Sequence, residues 1–219
     1  MIHISGAGIC GLSCAIHLLQ EGYDVTIHEI RHEIGNPVRS PGIIKDIDID
    51  MIGKSLAKQN PHGWAFRREW YEKSLAKKVS DLGGNIRLKS RGPEDSVNCT
   101  GGKSQSIGWP ISGSQDTGEL TMWNGGIVIK TDIPADFELD TIYEDKFCFE
   151  RNDGLVECWK RGDLPRPKQG WLELMQGEHP LSSQHIWADE AVDLGTRIAK
   201  NIIHSCLLYT SPSPRDPRE

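Results

Sequence analysis

The chain has 219 residues, a formal charge of −6 at pH 7 and a mean hydropathy of −0.45. This length suits one large domain, or one domain plus a small one. The acidic balance argues against a nucleic-acid surface, and no run of about eighteen apolar residues offers a transmembrane helix. The first residues enter a strand at once and leave no room for a signal peptide, so the expected location is cytoplasmic.

Residues 1–5 (Met-Ile-His-Ile-Ser) read as a short apolar strand. Residues 12–21 follow as a helix, with Leu12, Ala15, Ile16 and Leu19 on one face. Residues 23–28 make a second strand, closed by Glu29. Between the first strand and the helix lies Gly6-Ala7-Gly8-Ile9-Cys10-Gly11. A Gly-x-Gly-x-x-Gly pattern acquires meaning in this strand–turn–helix context, with an acidic residue about twenty positions on. The first glycine permits the tight turn, the second lets a pyrophosphate approach the backbone, and the third lets the helix pack close to the strand. The helix N-terminus then directs unpaired N–H groups and its positive end at the phosphates. Gly6, Gly8, Ile9, Cys10 and Gly11 are therefore candidate cofactor-binding residues. Glu29 is expected to accept hydrogen bonds from the adenosine ribose. A carboxylate there disfavours a 2′-phosphate, so the site suits FAD or NAD better than NADP. The alternative is a glycine-rich turn that binds nothing.

Residues 30–50 read as a loop broken by Gly35, Pro37, Pro41 and Gly42. A second helix is predicted over 64–82, with Trp70, Leu75, Val79 and Leu82 as its buried stripe and Gly83-Gly84 ending it. Short strands follow at 85–88 and 95–99, then a turn at Thr100-Gly101-Gly102. From about Gly108 the character changes. Residues 121–123, 127–130, 147–151 and 155–160 read as strands rich in aromatic and β-branched residues. Asn152-Asp153-Gly154 is a hairpin turn between the last two. A proline-containing linker covers 160–170. Residues 186–203 form a helix with Trp187, Ala191, Leu194, Ile198 and Ile202 on one face.

Six scattered cysteines suit reduced thiols acting as small apolar residues. Cys10 and Cys14, one helical turn apart, read as helix packing, since no second ligand pair follows. The eight histidines show no metal-ligand spacing and read as surface residues. The end of the chain, Cys206-Leu-Leu-Tyr-Thr-Ser-Pro-Ser-Pro-Arg-Asp216, resembles the translation of a transposase-type sequencing adapter. On that reading residues 206–219 are a non-native tail and the fold is C-terminally truncated.

Three segments resemble the geranylgeranyl reductase family of FAD-dependent oxidoreductases, relatives of the flavin hydroxylases. In Glu29-Ile-Arg-His-Glu-Ile-Gly-Asn-Pro-Val-Arg39-Ser-Pro-Gly42, the residues Gly35, Pro37, Val38, Arg39 and Gly42 find counterparts in that family. Ser40 stands where the family often has cysteine, and Pro41 replaces a Gly-Glu step. Arg68-Glu-Trp-Tyr-Glu-Lys-Ser-Leu75-Ala76 resembles a family helix whose arginine can reach the FAD. Val97-Asn98-Cys99-Thr100-Gly101-Gly102-Lys103-Ser104 resembles the strand-to-turn segment that touches the cofactor. The resemblance implies cofactor contacts at Arg39, Arg68, Thr100 and Gly101. The family's late Gly-Asp turn is missing: Gly162-Asp163 precedes Leu164-Pro165 and reads as a linker turn.

The expected fold is α/β: a Rossmann-like FAD-binding part at 1–108, an inserted antiparallel substrate sheet and linker at 109–170, a helical segment at 171–205, and the tail. The resemblance implies reduction of apolar isoprenoid double bonds, with FAD as cofactor and NAD(P)H as candidate electron donor. The partner is then a small apolar substrate, reached by peripheral membrane contact if that substrate is a lipid. A flavin-dependent monooxygenase or other FAD/NAD(P)-binding oxidoreductase, and an inactive nucleotide-binding fragment, are the alternatives. No side chain stands out as a catalytic acid or base.

Overall fold

The computed structural model describes residues 1–46, 56–100 and 120–210, with the backbone alone at 206–210. In chain order the first elements are β1 (Ile2–Ser5), α1 (Ile9–Gln20), β2 (Val25–Glu29), β3 (Ile43–Ile44), β4 (Ala57–Asn60) and β5 (Gly63–Phe66). Then come α2 (Arg68–Asp81), β6 (Asn85–Leu88), β7 (Val97–Asn98) and β8 (Leu120–Ile129). The last are β9 (Thr141–Ile142), β10 (Lys146–Glu150), β11 (Leu155–Arg161), β12 (Glu173–Pro180) and α3 (Ala188–Thr210).

The strands β6-β2-β1-β7 form a parallel sheet in that order. Helix α1 crosses between β1 and β2, the βαβ unit on which a parallel pair depends. Leu12, Ala15 and Leu18 of α1 are fully buried beside Ile4 and Ile27 of the sheet. Helix α3 joins this core through Ala188, Ile198, Ala199 and Ile202. Its Gly195 lies so close to α1 that a Cβ there would sit 2.2 Å from the Cys10 carbonyl oxygen. The α1 helix begins three residues earlier than periodicity predicts, because Ile9, Cys10 and Gly11 already have helical geometry.

A second, antiparallel sheet has the order β12-β8-β11-β10-β9. The mixed α/β fold with a parallel Rossmann-like sheet and a separate antiparallel sheet is thus present. Two strands expected at 121–123 and 127–130 are one ten-residue strand, β8, running through Asn124-Gly125-Gly126. Glycines usually weaken a strand interior; here they make room. A Cβ on Gly125 would meet the Trp159 ring at 2.7 Å, and one on Gly126 the Trp171 ring at 2.4 Å. Strand β12 falls in the segment expected to be helical. Its exposed positions are polar apart from Leu174, and among the described residues it pairs with β8 alone.

Residues 57–66 also depart from expectation. The helix predicted from residue 64 starts at Arg68, because residues 63–66 pair as β5 between β3 and β4. The backbone there is held from outside the helix, by the Phe66 N–H donating to the Gly42 carbonyl at 2.8 Å. Leu75 and Val79 are buried as predicted, but Trp70 is 38% exposed, with the Arg67 guanidinium 5.0 Å above its ring.

The inner face of the antiparallel sheet carries Trp123, Ile127, Phe147, Phe149, Trp159 and Met175 and packs with Ile43, Ala65, Ile186 and Trp187. Val128, Cys148, Val156 and Cys158 form a smaller cluster on the other face. The five cysteines whose side chains are described are free thiols, as expected. The histidines are not all at the surface. His28 is 6% exposed, with Nε2 3.1 Å from His3 Nδ1 and Nδ1 2.9 Å from Ser90 Oγ. Helix α3 continues as backbone to Thr210, past the junction expected near residue 205, and the rest of the suspected tail lies outside the described residues.

Candidate cofactor site

Parallel pairing of β1 with both β2 and β7 brings the C-terminal ends of these three strands to one edge. The glycine turn leaves β1 at this edge. Gly6 has φ +103°, the left-handed side where glycine is favoured, and a Cβ on it would lie 2.8 Å from the Cys99 carbonyl oxygen. A Cβ on Gly11 would lie 1.9 Å from the Gly6 carbonyl oxygen. These two glycines are required by the protein's own packing. Gly8 is different. It is the extended N-cap of α1, has no side-chain cap, and a Cβ there would meet nothing within 4 Å. The first-turn N–H groups of α1 have no intrahelical partner by geometry, and no acidic residue lies among them. The space over Gly8 therefore fits an anionic group such as a pyrophosphate.

Glu29 ends β2 at the same edge and is 4% exposed. Its Oε2 accepts from the Ala7 N–H at 2.8 Å and from Arg31 Nη2 at 3.0 Å, and its Oε1 accepts from the Arg31 N–H at 2.9 Å. Burial alone would raise its pKa. The Arg31 side chain, the Arg31 and Ala7 N–H groups and the Arg31 charge outweigh burial and hold it below the ordinary carboxylate range. A carboxylate has about four acceptor positions, so three donors leave capacity for a ribose hydroxyl.

Arg31 opens a chain of alternating charges. Its Nη2 lies 3.6 Å from Glu72 Oε2, and Glu72 Oε1 lies 3.2 Å from Arg68 Nε. Arg68 Nη1 donates to the Pro41 carbonyl at 3.0 Å. The Arg68 guanidinium is thus committed to Glu72 and the 39–42 backbone. Arg39 has an exposed side chain, and its carbonyl is held by His179 Nε2 at 2.7 Å.

Cys99-Thr100 runs against Gly6, with the Thr100 Cα 3.0 Å from where a Gly6 Cβ would be. Thr100 is fixed by Asn98 Oδ1, which accepts from its N–H at 3.1 Å and its Oγ1 at 2.7 Å. Cys99 touches Cys10 and Cys14, and hydrogen bonding to neighbouring thiols together with burial pushes the Cys10 thiol well up. The Cys10 and Cys99 thiols are packing groups, not thiolates. Gly6, Gly8, Ile9, Cys10, Gly11, Glu29 and Thr100 thus meet at one edge. Arg68 joins through Glu72 and Arg31, whereas Arg39 meets the rest through its backbone; Gly101 lies outside the described residues. Among the described residues no group of three His, Cys, Asp or Glu side chains is arranged to hold a metal ion, and no helix is long and apolar enough to cross a membrane.

Sequence reading missed Arg31, Glu72, Glu157 and His179. Glu157 is 1% exposed, on the inner face between Leu155 and Trp159. It accepts from the Gly42 N–H at 3.0 Å and from Trp159 Nε1 at 2.7 Å, and Arg151 Nη1 lies 3.4 Å away. Burial pushes its pKa up against the pull of Arg151 and these donors. Its signal was available: a carboxylate at an apolar position of an alternating strand must have partners.

Residues 4–70 match the family described as NAD(P)-binding Rossmann-like domain. Against curated protein sequences the chain has no match. Among solved structures it is similar to a geranylgeranyl bacteriochlorophyll reductase-like protein from Thermoplasma acidophilum, with a TM-score of 0.65 at 14% identity over 94% of this chain and 79% of that one. It is similar to a flavoprotein/dehydrogenase from Cytophaga hutchinsonii, with a TM-score of 0.56 at 11% identity over 93% and 78% of the two chains. A third similar structure is aklavinone-11 hydroxylase in a ternary complex with FAD and aklavinone, with a TM-score of 0.57 at 13% identity over 94% and 62%. At these identities the likeness is one of fold: a parallel Rossmann-like sheet joined to a separate antiparallel sheet.

Proposed function

We propose that the protein binds FAD and acts as an FAD-dependent oxidoreductase that reduces carbon–carbon double bonds of an apolar isoprenoid substrate, with NAD(P)H as electron donor. The observation that carries the cofactor reading is the glycine turn: closed at Gly6 and Gly11, open over Gly8, with Glu29 buried beside it. The reductase reading rests on the resemblance of residues 29–42, and the fold likeness to a geranylgeranyl reductase-like protein agrees with it.

The first-turn N–H groups of α1 would hold the pyrophosphate, Glu29 would accept from the ribose, and Thr100 would border the cofactor where Cys99-Thr100 crosses Gly6. When bound, FAD supplies the two-electron transfer, and the protein supplies binding, orientation and exclusion of water. Glu29, held ionised at neutral pH, acts as an acceptor. The inner face around Trp123, Phe147 and Phe149 is closed core, packed with Ile43 beyond the 39–42 loop, and fixes the antiparallel sheet against that loop.

The test is purification from cells followed by an absorbance spectrum. Flavin bands, and anaerobic reoxidation of the reduced protein by geranylgeraniol, support the reading. A colourless protein that binds NAD and refuses FAD refutes the cofactor assignment. Reoxidation that requires oxygen together with an aromatic acceptor moves the assignment to a hydroxylase, the second reading that the aklavinone-11 hydroxylase likeness favours.

A further inference from the structure

Residues 39–42 are gripped by side chains from three other elements. His179 on β12 bonds the Arg39 carbonyl at 2.7 Å. A carbonyl only accepts, so Nε2 carries the proton and the imidazole donates. Arg68 on α2 donates to the Pro41 carbonyl at 3.0 Å, and the Gly42 N–H donates to Glu157 on β11 at 3.0 Å. The loop also lies as close to these elements as backbone can. A Cβ on Gly177 would sit 2.0 Å from the Arg39 carbonyl oxygen, and one on Gly42 would sit 2.0 Å from the Phe66 carbonyl oxygen. Two of the gripping residues come from the antiparallel sheet. The third, Arg68, continues through Glu72 and Arg31 to Glu29 and to the Ala7 carbonyl, which lies 3.4 Å from Arg31 Nη2.

We propose that His179 is a positioning residue of the cofactor site: it fixes the 39–42 backbone between the antiparallel sheet and the charge chain that ends at Glu29, and so sets the wall against which the flavin half of FAD is bound. The inference rests on the FAD reading above. The loop's backbone bonds go to His179, Arg68, Glu157 and Phe66, and the bonds of Glu29 go to Ala7 and Arg31, so the loop's position should matter to the flavin half of the ligand and not to the adenosine diphosphate half. His179 acts through the Arg39 carbonyl.

The experiment measures binding of FAD, by flavin fluorescence quenching, and of ADP, by calorimetry. The proteins are the wild type, His179→Leu, His179→Gln and Gly177→Ala. His179→Leu removes the donor and keeps the bulk. His179→Gln restores an N–H at about the same reach. Gly177→Ala keeps the imidazole's N–H but drives a methyl between it and the loop, 2.0 Å from the Arg39 carbonyl oxygen and 2.7 Å from His179 Nε2, so the bond between them is forced apart. His179→Leu and Gly177→Ala should each bind FAD at least tenfold more weakly than wild type while binding ADP within about twofold of it. His179→Gln should recover most of the FAD affinity. A purely structural role would lower ADP and FAD binding together, with the melting temperature, and would not be rescued by Gln. Normal FAD binding by both variants, or equal loss of both ligands, overturns the proposal. A wild type that binds ADP but not FAD overturns the FAD reading instead, which is a different pattern.

Discussion

Of the three glycines in the turn, Gly8 alone faces open space, and substitutions there should separate binding from folding. In Gly8→Val the new Cβ meets no protein atom within 4 Å, and the position needs no positive φ. The substitution should abolish FAD binding and shift the melting temperature by no more than a degree or two. Gly11→Val, whose Cβ would collide with the Gly6 carbonyl, should instead destabilise the fold by several kcal/mol, about the upper end for overpacking; a melting curve distinguishes the two. Glu29→Gln keeps an acceptor for the Ala7 N–H but removes the charge. FAD affinity should fall by roughly tenfold, about the 1.4 kcal/mol expected of one weakened charge-assisted bond, as measured by fluorescence titration. Glu29→Ala is the poorer probe, since it strands a buried N–H at about 1–3 kcal/mol. The glycines and Glu29 were legible in the sequence because their role is a local pattern of fixed spacing. Arg31 and Glu72 were not, because their pairing needs the end of β2 to meet α2, a contact between residues 41 positions apart that no local pattern encodes.

At the scale of elements, β8 is the strand whose course propensity misjudges. Gly125 and Gly126 interrupt the apolar pattern and read as a break, yet each seats an indole, on opposite faces of one continuous strand. The two seats differ. Trp159 is fully buried and tied to Glu157, whereas Trp171 is half-buried at the linker. Gly125→Val should therefore cost about 3 kcal/mol or more, and Gly126→Val about 1 kcal/mol or less, since Trp171 can yield and valine favours strand. Urea denaturation of the two variants gives the comparison. Strand β12 was illegible for a related reason. Its exposed positions are polar apart from Leu174, and what makes it a strand is the hydrogen-bonding edge of β8, whose paired residues lie 46 to 60 positions earlier. The βαβ unit, by contrast, pairs neighbours in sequence and could be read directly.

At the scale of the molecule, the contact between the parallel and antiparallel units carries titratable groups, and pH should act there. Burial pushes His179 down to about 4, and the charge of Arg68 adds to it. An unfolded chain binds this proton with a pKa near 6.5, so between pH 6.5 and 4 the unfolded state binds more protons and stability falls as pH falls. The contribution is complete above pH 6.5 and lost through about pH 4; its ceiling, at 1.36 kcal/mol per unit, is about 3 kcal/mol. Glu29 and Glu150, held low by cationic partners, also lose stability on acidification, while Glu157, pushed up by burial, acts in the opposite sense. Comparing wild type with His179→Gln by denaturation at pH 7 and pH 4.5 cancels these carboxylates. The wild type should show the larger loss; equal slopes would remove His179 from the account.

The chain Glu29–Arg31–Glu72–Arg68 has a consequence for descent. Four charges of alternating sign, with the two carboxylates 5% and 6% exposed, sum to zero. Removing one strands its neighbour in a poorly solvated place, which is strongly destabilising, whereas exchanging an adjacent pair for apolar residues is often tolerated. Exchanging the middle pair would strand Glu29 and Arg68, so lineages of this protein should change Glu72 and Arg68 in the same evolutionary step and leave Glu29 paired with Arg31. In an alignment of its relatives positions 72 and 68 should co-vary, while Glu29, tied also to the Ala7 N–H, should vary least.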